Sequence, residues 1–154
     1  MRIFWMSGFT LAALVVLPGA LLAQQEAGDQ AGDGAAVTAL GPSELTWSAG
    51  GGGYGQAQFA QVLGTPGESG PFVFRMRMPS NWTMPAHHHD TAEHITVLSG
   101  TLTMKFSADG DPVELPPGSF VSVPAGGPMW AWTGDEPVEL QIHGTGPFHT
   151  SPVE

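Results

Sequence analysis

Two histidines and a glutamate carry the spacing most suited to chemistry in this chain: His87, His89 and Glu93, with Gly100 beyond them, in the stretch HHHDTAEHITVLSG. Side chains alternate faces along an extended strand, so His87 and His89 share one face and His88 takes the other. A turn over Asp90 to Ala92 can fold Glu93 back toward the pair. Two neutral imidazoles and a carboxylate form a donor set for a divalent transition metal (iron, manganese, nickel, zinc or copper), with positions left open for water, oxygen or a substrate.

Strands are the elements that must position such a set. From Leu40 onward, short apolar-alternating segments recur between Gly, Pro and Asp turns. They run 44–47, 56–63, 72–78, 84–89, 93–99, 101–106, 113–115, 119–123, 129–132 and 138–143. Such spacing predicts an all-β barrel or sandwich, and no segment of the mature chain carries a helical period. With Glu93 inward, Ile95 and Val97 also point inward, while His94, Thr96 and Leu98 point out. Phe72, Phe74, Met76 and Met78 share a face, and Arg75 and Arg77 lie on the opposite one with Val73. The two arginines either meet surface carboxylates or bind an anionic substrate, for which guanidinium forks are suited.

A second element follows the histidines: Gly118, five residues, Pro124-Ala125-Gly126, two more residues, then Met129. Together the two motifs resemble the cupin superfamily, and the stretches EHITVLSGT, PAG and QIHGTGPF resemble a group of small bacterial cupins. That resemblance implies a single double-stranded β-helix, the jelly-roll barrel, with His87, His89 and Glu93 as metal ligands. Where the family usually places a further histidine ligand this chain has Met129, a soft, weak donor or a hydrophobic filler. The family's leading glycine is replaced by Asn81, and asparagine tolerates the left-handed backbone that such a turn requires. His143 is a further candidate ligand. It faces away from the metal if Val138, Leu140 and Ile142 fill the space between the sheets, and toward it if the barrel interior is the polar side. Trp130 and Trp132 share a face that could pack the barrel or floor an interface in a homodimer.

Composition bounds the rest. Residues 3–23 are apolar apart from Ser7 and Thr10, follow Arg2, are broken by Pro18-Gly19 and end at Ala23, the pattern of a secretory signal peptide. Residues 24–38 are poor in large apolar side chains and read as a disordered tether, leaving 39–154 as the cupin domain. The domain is thus expected to be exported, periplasmic or secreted, without stable membrane association after cleavage. There is no cysteine, which excludes disulfides and thiolate chemistry. Against fourteen acidic residues stand only Arg2, Arg75, Arg77 and Lys105, for a formal net charge of −10. So acidic a chain lacks the positive cluster that nucleic acid requires. The Gly50 to Gly53 run reads as a flexible loop, and His149 as a solvent-exposed residue near the end.

Two functions compete. One is a metal-dependent enzyme acting on a small organic molecule inside the barrel, of oxygenase, isomerase or lyase type. The other is a non-catalytic barrel that binds a metal or small ligand, which the missing histidine favours.

Overall fold

The computed structural model describes residues 37–153. The segment read as a signal peptide, and all but the last two residues of the segment read as a tether, lie outside that range.

Eleven strands and two short 3-10 turns make up the described chain. The strands are β1 (Ser48–Ala49), β2 (Gln58–Leu63), β3 (Gly70–Met78), β4 (Thr83–His89), β5 (Glu93–Ser99), β6 (Leu102–Lys105), β7 (Val113–Leu115), β8 (Phe120–Val123), β9 (Met129–Thr133), β10 (Val138–Gly146) and β11 (Thr150–Pro152). A six-stranded sheet runs β1-β2-β3-β10-β5-β8 and a five-stranded sheet runs β11-β4-β9-β6-β7, all pairs antiparallel. β5 is joined by a short turn to β4, yet the two lie in different sheets, the strand-switching of a jelly roll.

Period-two alternation explains the core. Met76, Met78, Ile95, Val97, Leu140 and Ile142 are buried from one sheet, and Leu102, Met104, Met129 and Ala131 from the other. Their outward neighbours on the first sheet are Arg75, Arg77, Thr96, Gln141 and His143. Aligned packing of two such inner faces removes the apolar set from water, which is the main favourable term in forming the barrel.

Turn chemistry fixes the strand ends. Asn81 adopts φ 54° and its N–H donates to Gly134 O at 2.6 Å, so asparagine does take the left-handed turn. Gly100 lies at φ +70°, and a Cβ there would collide with Pro137 O, so the tight β5–β6 turn admits only glycine. Beside the Asn81 turn, buried Thr133 accepts from Trp82 N–H at 3.0 Å and donates to Pro79 O at 2.6 Å. Thr133→Val should leave both groups unpaired and destabilise the protein by about 1–3 kcal/mol, read as a lowered denaturation midpoint with unchanged slope.

Two elements differ from the sequence expectation. Residues 44–47 do not form a strand: Pro42 and the Glu44 carboxylate, which accepts from Gly41 N–H at 2.6 Å, tighten Pro42–Glu44 into a 3-10 turn. Proline fixes φ and removes a donor, which suits a turn start and disfavours pairing. Conversely, Thr150–Pro152 does pair, against His87 to His89 of β4.

Candidate metal centre and cavity

β4 and β5 bring the three residues together at one end of a cavity of about 480 Å³ between the sheets. His87, His89 and Glu93 are 4 %, 5 % and 4 % exposed, an unusual depth for three polar side chains. The two imidazole centroids are 4.9 Å apart, and His89 Nε2 stands 3.7 Å from Glu93 Oε2. His88 points away, opposite Ser151 of β11.

Backbone carbonyls set the tautomers. His87 Nδ1 donates to Pro85 O at 2.7 Å, and His89 Nδ1 donates to His149 O at 3.1 Å. A carbonyl can only accept, so each Nδ1 carries the proton and each Nε2 keeps a lone pair, the form in which imidazole ligates metals. Phe148 stacks on the His89 ring at 3.9 Å between centroids and restricts its rotation. Asp90 holds this supporting segment: its carboxylate accepts from the His149 backbone N–H at 2.9 Å and from His149 Nδ1 at 2.7 Å. The exposed His149 side chain thus anchors the carbonyl that orients His89.

Glu93 Oε2 is buried with no hydrogen-bond partner. Burial pushes its carboxyl up to about 7 and the His89 imidazole down to about 4, and lowers His87 as well. The 3.7 Å His89–Glu93 approach has ion-pair geometry, but between those two values both groups are uncharged. Desolvation outweighs their mutual attraction. An orphaned carboxyl oxygen beside two presented lone pairs is a donor set that fits a cation. Among the described residues, however, no group of three or more His, Cys, Asp or Glu is arranged to hold a metal ion as it stands. The three side chains share the cavity end without closing on a common point.

Met129 lies directly across the β4–β9 pair from His87, 2 % exposed and on the cavity wall.

Three candidates are not brought to the cavity. Ile142 points inward, so His143 sits on the outer face, beside His94 at 5.1 Å between ring centroids and close to Phe120. The aliphatic set fills the space between the sheets, which decides the alternative left open by the sequence. Arg75 and Arg77 are on the same outer face: Arg75 donates to Glu139 and Gln141, and Arg77 donates to Glu139 at 2.9 Å while lying 3.7 Å over the Trp47 ring. They meet surface partners and no cavity ligand. Trp130, also outward, has Lys105 Nζ at 5.0 Å from its ring.

The cavity wall also includes residues that the motifs did not single out, among them Tyr54, Phe148 and Met84. Tyr54 comes from the glycine run and packs edge-on to His87 at 6.2 Å between centroids. Burial and then the nearby Glu93 charge raise its phenol pKa. Its loop is closed by Gly50 N–H to Ala57 O at 2.9 Å and Ala57 N–H to Tyr54 O at 2.8 Å. The one tyrosine of the chain amid glycines is the signal that could have found it.

A jelly roll with two histidines on one strand and a glutamate opening the next, all buried at one cavity end, defines a class of small β-barrel with an internal site. Residues 74–144 match the family described as "Cupin domain", and the two-sheet jelly roll of the described residues is the cupin fold. No curated protein matches in sequence. Solved structures do match in fold. The polyketide cyclase RemF from Streptomyces resistomycificus shares 18 % identity over 77 % of this chain and 87 % of its own, with TM-score 0.68. The DMSP lyase DddQ from Ruegeria pomeroyi DSS-3 shares 22 % identity over 72 % of this chain and 61 % of its own, with TM-score 0.59. A sugar phosphate isomerase of the cupin superfamily from Silicibacter pomeroyi DSS-3 shares 18 % identity over 75 % and 82 %, also with TM-score 0.59. These likenesses show the fold; the named activities belong to those proteins.

Proposed function

We propose that this protein is an exported, metal-dependent cupin acting on a small organic molecule in its barrel, through oxygenase, isomerase or lyase type chemistry. His87, His89 and Glu93 hold a divalent transition metal. The observation that carries the reading is the paired orientation of the two buried imidazoles, each Nδ1–H tied to a carbonyl, beside a buried Glu93 oxygen without a partner. A protein gains nothing in stability from an orphaned buried carboxyl, so its retention points to a ligand. A bound ion would supply Lewis acidity and open coordination positions. Around it the chain's own residues position and exclude: Phe148 and Asp90 fix the His89 ring, Tyr54 covers His87, and the methionine-lined wall keeps bulk water from the site. Export rests on the pattern of residues 1–23.

The alternative is a binding barrel without turnover, and Met129 in the usual histidine position favours it. The enzyme reading requires the metal and the binding barrel does not, so thermal unfolding with and without metal is the first test. Zinc or nickel at about 100 times its dissociation constant should stabilise the protein by about 2.7 kcal/mol, and Glu93→Ala should remove that gain. Met129→His should add a fourth donor opposite His87 and tighten zinc binding by about tenfold or more. A midpoint that metals leave unmoved in the unaltered protein would sink the metal reading.

A further inference from the structure

The walls of the cavity say what its ligand is. Its floor and sides carry the thioethers of Met76, Met84, Met104 and Met129 and the rings of Phe59 and Phe74. Among the described lining residues there is no lysine or arginine, and Glu93 is the one acid. Each described basic side chain is instead engaged outside the barrel: Arg75 and Arg77 with Glu139, and Lys105 with Ala108 O at 2.9 Å. The exposed polar residues Thr46, Ser48 and Gln61 line the cavity too, and mark its mouth. Ser48 Oγ already donates to Phe59 O, and Gln61 Nε2 to Gly64 O.

An anion entering this space loses its hydration and meets no fixed positive side chain in return. Thioethers, by contrast, adapt to shape and contact aromatic rings favourably. The volume lies within the usual range for small-molecule sites, roughly 300–1,000 Å³. We infer that the ligand is an uncharged, largely apolar organic molecule, aromatic in its body, with one oxygen donor of phenol or enol type directed to the His87–His89–Glu93 end. Phosphorylated sugars and other polyanions are disfavoured, since beyond the ion itself no positive side chain of the wall replaces their hydration. The apolar class rests on the walls alone; the oxygen donor rests on the metal reading above.

Three probes separate these parts: naphthalene, 2-naphthol and glucose 6-phosphate, each titrated into zinc-loaded and chelated protein carrying labelled methionine methyls. Ring currents should shift the methyls of Met76, Met84, Met104 and Met129 with naphthalene in both states, while Met78, buried away from the cavity, stays put. 2-Naphthol should do the same and bind about tenfold tighter to the loaded protein. In the chelated protein glucose 6-phosphate should move none of them, binding at least about a hundredfold more weakly than naphthalene. Methyl shifts from glucose 6-phosphate in the chelated protein, or none from naphthalene, would overturn the apolar class. Equal 2-naphthol affinity with and without zinc, alongside intact naphthalene shifts, would overturn the oxygen-to-metal contact and leave the class standing.

Discussion

Metal affinity should fall as pH drops through 7, approaching tenfold per unit, a loss of about fiftyfold between pH 7 and pH 5. The cause is the buried Glu93 carboxyl, pushed up to about 7 by desolvation. Metal binds the carboxylate form. Below its pKa the free protein holds a proton there that an incoming ion must expel; above it no proton is displaced and the dependence on Glu93 flattens. The same burial shifts the imidazoles the other way. Burial holds His89 down to about 4, so it remains ready to ligate through this range, and burial lowers His87 in the same direction. A solvent-exposed set with ordinary values would behave differently, flat in its carboxylate near neutrality and losing two protons from histidine below about 6.5. Isothermal titration with zinc from pH 5 to 8, corrected for buffer binding, measures the slope. A slope of two starting near 6.5 would mean the three groups are not buried as described.

Removing any one of the three donors should cost more still. His87→Ala, His89→Ala and Glu93→Ala should each weaken binding by at least about a hundredfold, since a site of three strong ligands has none to spare. His88→Ala and His143→Ala, on outward positions of β4 and β10, should leave affinity within about twofold of the parent. Equilibrium dialysis against zinc resolves the two groups of variants. Retained binding in Glu93→Ala with loss in His143→Ala would place the ion on the outer face beside His94.

Period-two alternation makes most of this site legible in the residue order alone. It turns His87 and His89 to one side and His88 to the other, and runs Ile95 and Val97 inward from Glu93. β5 and β7 follow the segments read from sequence residue for residue. Asn81 behaves as its side chain allows. What alternation does not supply is depth and partnership across the fold. Whether His143 faces in or out depends on which face of β10 the opposing sheet covers, a long-range fact. The acceptors that orient the imidazoles are main-chain carbonyls of Pro85 and His149, and a carbonyl leaves no trace in residue identity. The Thr150–Pro152 pairing to β4 is hidden for a related reason: a short polar edge segment, all exposed, shows no burial pattern to read. Tyr54 reaches the site from a loop more than thirty positions before His87, and local pattern carries no such information.

The most direct test of the central claim is elemental mass spectrometry of the unaltered protein, loaded in turn with iron, manganese, nickel, zinc and copper and then desalted. The expected result is about one equivalent of ion per chain for at least one of these metals, lost on chelation. Protein that retains none of the five after loading near neutral pH would contradict the claim.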